Sequence, residues 1–154
     1  MNYMLNTDFG CPVEEGGVLI PTPVILKTET NADKTEATVY GNFWLFAYKQ
    51  DGKILKVTSC GECPGVMKLE KNDGVWTVSS FESAGEGEKY SEDIARFANG
   101  DKELKELYRR STGASDDSIL DQYQRAAVVE YVNANQLDIE AYQENGWDPV
   151  SVTD

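Results

Sequence analysis

The fold is decided by residues 35–59, TEATVYGNFWLFAYKQDGKILKVTS, and above all by residues 35–49 within this stretch. Alternate positions place Val39, Phe43, Leu45 and Ala47 on one face of an extended chain and Tyr40, Trp44, Phe46 and Tyr48 on the other. A strand with one face in water alternates apolar and polar residues, whereas this stretch is apolar on both faces. The pattern therefore predicts a central strand that is covered on each side.

Turn signals on both sides of this strand predict an antiparallel meander. Asp51-Gly52 favours a two-residue hairpin, because glycine accepts the positive φ that such turns need. Asn72-Asp73-Gly74 gives a second turn of the same kind. The predicted strands cover residues 24–30, 35–49, 53–59, 66–71 and 75–82.

Helical spacing replaces the strand pattern after residue 83. A short helix is predicted from Ser91 to the glycine stop at Asn99-Gly100, and a second from the cap Asp101 to Arg109-Arg110. A longer helix is predicted over residues 115–133. Its core-facing stripe is expected to consist of Ile119, Tyr123, Ala126, Ala127 and Tyr131.

The remaining segments complete the expected α+β architecture. Residues 1–23 are predicted to be an irregular N-terminal arm, because Cys11-Pro12, Gly16-Gly17 and Pro21-Thr22-Pro23 interrupt any long element. The tail is predicted as a short helix around Ile139 and Tyr142, followed by a docked extension at Trp147. We expect one α+β domain over residues 24–154, with C-terminal helices on a four- or five-stranded antiparallel meander. A cystatin-like or nuclear-transport-factor-like cone would have this architecture.

Charge and composition exclude several classes of partner. The chain has 27 acidic and 14 basic residues, a formal charge of -13, so a nucleic-acid partner is not expected. No apolar stretch approaches the roughly 18–20 residues that a membrane-spanning helix needs. The chain as it stands reads as cytoplasmic, and as extracytoplasmic if an export signal has been removed from it. Histidine is absent, which removes the commonest general base and the histidine-containing zinc sites, and no cofactor is predicted.

The segment Cys60-Gly61-Glu62-Cys63 is the one local motif that suggests chemical reactivity, and its two cysteines are a candidate disulfide or redox pair. Thioredoxin-like enzymes place the first cysteine of such a motif at a helix N-terminus, which lowers its pKa. Here Pro64-Gly65 and a strand pattern follow, and Glu62 opposes thiolate formation. Zinc would need a second ligand pair that the sequence lacks, so no metal site is predicted. A tight β-loop with reduced or locally bridged cysteines is the favoured interpretation.

The aromatic row Tyr40, Trp44, Phe46 and Tyr48 is the candidate ligand pocket, because such pockets are mostly apolar with a few polar groups. The competing interpretation is an ordinary core that packs against a helix. No pair of carboxylates stands out as acid and base, so no catalytic residue is predicted.

Several stretches together resemble an uncharacterised domain family of Firmicutes bacteria. They are residues 39–44 (VYGNFW) with Asp51-Gly52-Lys53, residues 64–67 (PGVM), residues 73–78 (DGVWTV) and residues 142–150 (YQENGWDPV). Similar domains are appended to BlaR-type antibiotic-sensing membrane metallopeptidases or occur as small stand-alone proteins. The resemblance covers residues 24–150 and carries structural signatures without a catalytic residue. Relatives carry small residues where this chain has Cys60 and Cys63.

Two functions from different classes follow from these observations. The first is a non-catalytic binding or sensory accessory domain that recognises an unidentified small molecule or protein partner. The second is a thiol-disulfide oxidoreductase that uses Cys60 and Cys63. An exposed cysteine with a lowered pKa would favour the second function.

Overall fold

The structure, a computed structural model, describes residues 11–153, which form one sheet of seven strands together with three helices. The strands are β1 (Val18–Thr30), β2 (Glu36–Asp51), β3 (Ile54–Gly61), β4 (Pro64–Asn72), β5 (Val75–Ser83), β6 (Ala141–Gln143) and β7 (Val150–Ser151). The helices are α1 (Glu88–Ala98), α2 (Lys102–Arg110) and α3 (Leu120–Ala134). The sheet order is β5-β4-β2-β3-β6-β7, and β1 also pairs with β2.

The predicted mixture of a largely antiparallel sheet with later helices is confirmed, and the sheet is larger than the expected four or five strands. The cystatin-like and nuclear-transport-factor-like architectures stay predictions.

One correction concerns the N-terminal arm. Strand β1 begins at Val18, so residues 18–23 belong to the sheet, while residues 1–10 of the predicted arm lie outside the described residues.

The chain divides into two compact units. Among the described residues, the first unit comprises residues 11–23, Trp44–Glu62 and residues 120–153, and the second comprises Val24–Phe43 and Cys63–Ile119. The division cuts through β1 and β2, so each unit contains part of both strands. The expectation of a single domain over residues 24–154 stays a prediction.

In the first unit, β2 and β3 form the predicted hairpin, with Asp51 paired to Ile54 and Gly52 at φ 61° in the turn. Residues 44–48 of β2 are all buried, so this part of the strand is covered on both faces, as its sequence predicts. Helix α3 contributes to that cover, because Gln124 Nε2 donates a hydrogen bond of 3.2 Å to the hydroxyl of Tyr48.

The buried side of α3 differs from the predicted stripe. Its buried residues are Leu120, Gln124, Val128 and Val132, which repeat every four residues. Tyr123, Ala127 and Tyr131 are only half-buried and Ala126 is exposed. The prediction was wrong because it gave weight to tyrosine and alanine and excluded glutamine, whereas Gln124 is 2% exposed and hydrogen-bonded.

The C-terminal tail is also corrected. Residues around Tyr142 form the strand β6, not a helix, and β6 pairs in parallel with β3 through Leu55 and Tyr142. Short β7 then pairs antiparallel with β6. Trp147 is 72% exposed in the turn between them, so the expected docked extension is not formed there.

In the second unit, β4 and β5 form the predicted hairpin at Asp73-Gly74, where both residues have positive φ. Both short helices are confirmed, and Asp101 caps α2 by accepting a hydrogen bond of 3.0 Å from the Leu104 amide. Their buried faces form one core cluster, made of Ile94, Phe97, Ala98, Leu104 and Tyr108. Leu26, Tyr40 and Val66 of the strands pack against this cluster.

Over residues 11–153, none of the helices has the length and apolar character to cross a membrane.

Candidate functional site

The two cysteines of the C-x-x-C motif have different surroundings. Cys63 is buried, its amide donates a hydrogen bond of 3.2 Å to Asn42 Oδ1, and its carbonyl accepts one of 3.0 Å from the Phe43 amide. Strand β4 follows immediately at Pro64. Cys63 therefore belongs to a hydrogen-bonded loop within the second unit, and it leads into a strand instead of a helix.

Cys60 lies in β3 of the first unit and is exposed. Partial burial of its thiol, reinforced by the negative charge of Glu144, raises its pKa above the ordinary value. Cys11 Sγ lies 3.6 Å from both the Leu45 carbonyl and the Ser59 hydroxyl. None of the three cysteines, all within the described part of the chain, forms a disulfide. A raised pKa is the opposite of what an attacking thiol needs.

The predicted aromatic pocket residues lie in the core. In the first unit, Trp44, Phe46 and Tyr48 are 8%, 2% and 0% exposed. The Trp44 and Phe46 rings stack with centroids 5.5 Å apart, and those of Phe46 and Tyr48 are 6.2 Å apart. In the second unit, Tyr40 is half-buried against the core cluster formed by α1 and α2. These rings fill the space beside the sheet, and none of them lines the grooves described below.

A groove of about 450 Å³, here called the helical groove, lies between α1 and α2 in the second unit. Its lining residues are Tyr90, Ser91, Ile94, Lys102, Lys105, Glu106, Arg109 and Thr112. None of them was a candidate in the sequence analysis, which used Arg109 only as a charge suited to a helix C-terminus.

The apolar part of the helical groove comes from α1. Tyr90 and Ile94 are four residues apart, so they lie on the same face of this helix. Ile94 is 5% exposed and belongs to the core cluster, whereas Tyr90 is half-buried and packs against that cluster. The hydroxyls of Ser91 and Thr112 add hydrogen-bonding groups at the rim. The groove thus combines a fixed apolar wall with polar edges.

The cationic part comes from α2. Lys102, Lys105 and Arg109 are separated by three and four residues, which places them along one face of the helix. This spacing is the signal from which the sequence analysis could have found the groove.

The guanidinium of Arg109 already binds two carboxylates. Its guanidinium holds Glu106 through hydrogen bonds of 3.0 and 3.1 Å from Nε, and Asp117 at 2.9 Å from Nη2. The hydrogen bond from Arg109 lowers the pKa of Glu106. A hydrogen bond from Ser115, followed by the one from Arg109, lowers the pKa of Asp117 to about 2. Arg109 therefore anchors α2 to the loop that follows it, and its charge is compensated.

Lys102 and Lys105 differ from Arg109, since neither forms an ion pair with a carboxylate among residues 11–153. Two of the neighbouring acids are bound elsewhere, Asp101 by Lys27 at 3.0 Å and by the Leu104 amide, and Glu106 by Arg109. Both lysines are exposed at the groove. In a chain with a formal charge of -13, they are lining cations that no described carboxylate binds.

Two further grooves lie in the first unit. One of about 780 Å³ has a polar lining that includes Lys49, Lys56 and Glu144. The other, of about 460 Å³, lies between Pro21 and Pro23 of β1 and Tyr123 and Tyr131 of α3. Within the described residues, no group of three or more Cys, Asp or Glu side chains is arranged to hold a metal ion.

Comparison with known protein families, with curated proteins and with solved structures found no significant match to this chain. The resemblance to the Firmicutes family therefore stays a prediction.

Proposed function

We propose that the protein is a non-catalytic binding domain with a sensory accessory role, and that its ligand occupies the helical groove. The observation that carries this proposal is the pairing of an apolar wall, Tyr90 and Ile94, with polar and charged groups on the facing helix. Small-molecule sites are typically concave, mostly apolar and about 300–1,000 Å³ in volume, with a few polar groups that orient the ligand. The groove's volume of about 450 Å³ suits a ligand of one or two rings.

The chemistry of the lining favours binding over catalysis. The carboxylate that lines the groove, Glu106, is bound by Arg109 and has a lowered pKa, so it is a poor proton donor near neutral pH. Ser91 and Thr112 lack a histidine partner, because the chain contains no histidine. These groups suit recognition of a ligand better than its chemical conversion.

The sensory part of the proposal draws on the resemblance to domains of antibiotic-sensing membrane proteins. In such a role, ligand binding at a groove between two short helices would change the packing of α1 against α2. Neighbouring protein surfaces could respond to that change.

A titration of the isotope-labelled protein followed by amide ¹H–¹⁵N spectra tests the groove as a ligand site. The probes are indole, 2-naphthamide and 2-naphthoate, which offer ring systems with different polar groups. We expect at least one of them to shift the amides of α1 and α2 more than those elsewhere. Ser91→Trp, which places a large side chain over the exposed edge of the groove, should weaken that binding by at least tenfold.

Glu92→Trp is the matched control for this substitution. Glu92 is the next residue of α1, it is exposed, and it does not line the groove. The control should bind the probe as the original protein does. If no probe shifts the groove amides, or if Ser91→Trp binds as well as Glu92→Trp, the proposed site is wrong.

The thiol-disulfide alternative receives less support from the geometry. Cys60 is exposed but has a raised pKa, and Cys63 is buried in a loop that continues into β4. Neither cysteine receives the helix N-terminal field that lowers thiol pKa values in thioredoxin-like enzymes. The alternative is tested below through the reactivity of Cys60.

A further inference from the structure

We infer that the helical groove selects ligands that carry an anionic group, held between the ammonium groups of Lys102 and Lys105, with an apolar ring against Tyr90 and Ile94. This inference rests on the proposed function and specifies the chemical class of the ligand. The shared chemistry is that of an aromatic or alkyl carboxylate, and the groove volume of about 450 Å³ accommodates it.

The two lysines are close enough to bind the same anionic group. Residues three apart on a helix have Cβ atoms about 5–6 Å from each other on the same face. Lys102 and Lys105 both line the groove, and each side chain ends in a mobile ammonium with three donors. One carboxylate has several acceptor positions, so a single ligand group can bond to both ammonium groups at once.

The carboxylates near the two lysines are bound to other cations. The lining holds three cations and one carboxylate, and that carboxylate, Glu106, is already bound by Arg109. Asp117 also binds Arg109, and Asp101 binds Lys27. Of the three cations that line the groove, Lys102 and Lys105 are the ones left without an acidic partner in the described residues. A ligand anion would supply the missing partner without breaking an existing pair.

The N-terminus of α2 does not supply the anion site. An open helix N-terminus attracts anions, but the start of α2 is closed by the Asp101 side chain, which accepts the Leu104 amide hydrogen at 3.0 Å. The start of α2 therefore does not provide the anion site, and we assign the anion preference to the lysine side chains. It should disappear when their charges are removed, even though the helix is unchanged.

The overall negative charge of the protein disfavours binding of an acid anywhere except at a local cluster of positive charge. With a formal charge of -13, the protein as a whole repels anions, so non-specific association of an organic acid is disfavoured. Specific binding of an acid must then come from a local cluster of positive charge. Added salt shortens the range of the overall repulsion, while the close contacts to the lysines are screened less.

Isothermal titration with 2-naphthoate and 2-naphthamide tests the inference, because the two probes share a ring system and differ in charge. The acid should bind roughly tenfold more tightly than the amide, the size expected for two partly exposed charge pairs. In the double variant Lys102→Gln, Lys105→Gln, the two probes should bind with similar affinity. Amide spectra of the variant should show that the fold is retained.

A second double variant, Lys34→Gln with Lys68→Gln, removes the same number of positive charges at exposed positions outside the groove. It should keep the full preference for the acid. If 2-naphthamide binds the original protein as tightly as 2-naphthoate, the anion inference is overturned while the groove stands as a binding site. If neither probe binds, the inference and the proposed site both fail. If the control variant loses the preference too, overall charge and not the lysine pair is responsible, which also overturns the inference.

Discussion

The side-chain amide of Asn42 in β2 donates hydrogen bonds to the carbonyl of Ser111 at 3.3 Å and to its hydroxyl at 3.2 Å, across 69 residues of sequence. Its oxygen accepts the Cys63 amide hydrogen at 3.2 Å. Asn42 and Ser111 are both fully buried. One asparagine thus ties the end of α2 and the loop before β4 to the central strand of the second unit, which helps to fix α2 where it lines the helical groove.

Replacement of Asn42 should lower the free energy of unfolding. Asn42→Ala leaves the Cys63 amide and the Ser111 carbonyl without this partner in a buried place, a loss of about 1–3 kcal/mol in the free energy of unfolding. Urea unfolding monitored by circular dichroism measures it. Exposed Gln122→Ala, which removes an amide from the surface of α3, should change stability by less than about 0.5 kcal/mol. Equal effects of the two substitutions would show that the Asn42 bonds do not stabilise the fold.

The corrected buried face of α3 gives a second prediction. Val128 is 0% exposed and Val129 is half-buried, so the same truncation to alanine at neighbouring positions compares the two faces. Val128→Ala should lower the free energy of unfolding by about 1–3 kcal/mol through lost burial and a residual cavity, and Val129→Ala by clearly less. A larger loss for Val129→Ala in urea unfolding would contradict the buried face described for α3.

Buried tyrosines predict a loss of stability at high pH. Burial raises the pKa of Tyr142 to about 12 and raises those of Tyr48 and Tyr108 as well, from an ordinary value of 10.0. Above pH 10 the unfolded chain loses these protons while the folded chain keeps them, so unfolding becomes more favourable as the pH rises from 10 towards 12. Below pH 10 this contribution is fully retained.

Tyrosinate absorbance near 295 nm, recorded with circular dichroism during an alkaline titration, measures this coupling. Ionisation of part of the eight tyrosines should be delayed until the secondary structure is lost. If all eight ionise near pH 10 while the fold is intact, the buried assignments of Tyr48, Tyr108 and Tyr142 are wrong.

The reactivity of Cys60 separates the binding function from the redox alternative. Its raised pKa predicts that iodoacetamide modifies Cys60 more slowly at neutral pH than the same cysteine in the urea-unfolded chain. Peptide mass spectrometry gives the rate for each cysteine. Glu144→Gln, which removes a negative charge that opposes the thiolate, should speed the reaction. A Cys60 thiol that reacts with a pKa well below its ordinary value would favour oxidoreductase chemistry.

Local patterns in the sequence predicted the central strand, both glycine turns and the two short helices, because each depends on neighbouring residues. The two-sided burial of β2 and the cap at Asp101 belong to this group. Longer-range pairing was harder to predict. The segment around Tyr142 has helical spacing, yet it is a strand because it pairs with β3, which lies more than 80 residues earlier in the sequence.

The candidate site escaped the sequence analysis for a related reason. Aromatic residues at alternate positions of β2 were weighed as a pocket or as core, and burial of Trp44, Phe46 and Tyr48 shows that they pack as core. The helical groove depends on two helices meeting, so Tyr90 and Lys105 become neighbours of one cavity only in the folded chain. The spacing of the cations along α2 was visible, but which of them would remain without an acidic partner was not.

The position of a bound ligand decides whether the helical groove is the binding site. With methyl-labelled protein and unlabelled 2-naphthoate, intermolecular nuclear Overhauser effects should connect the ring protons to the δ-methyl of Ile94 in the wall of the helical groove. Effects that instead connect the ligand to the methyls of Ala126 and Ala127, which line the groove between β1 and α3, would contradict the account.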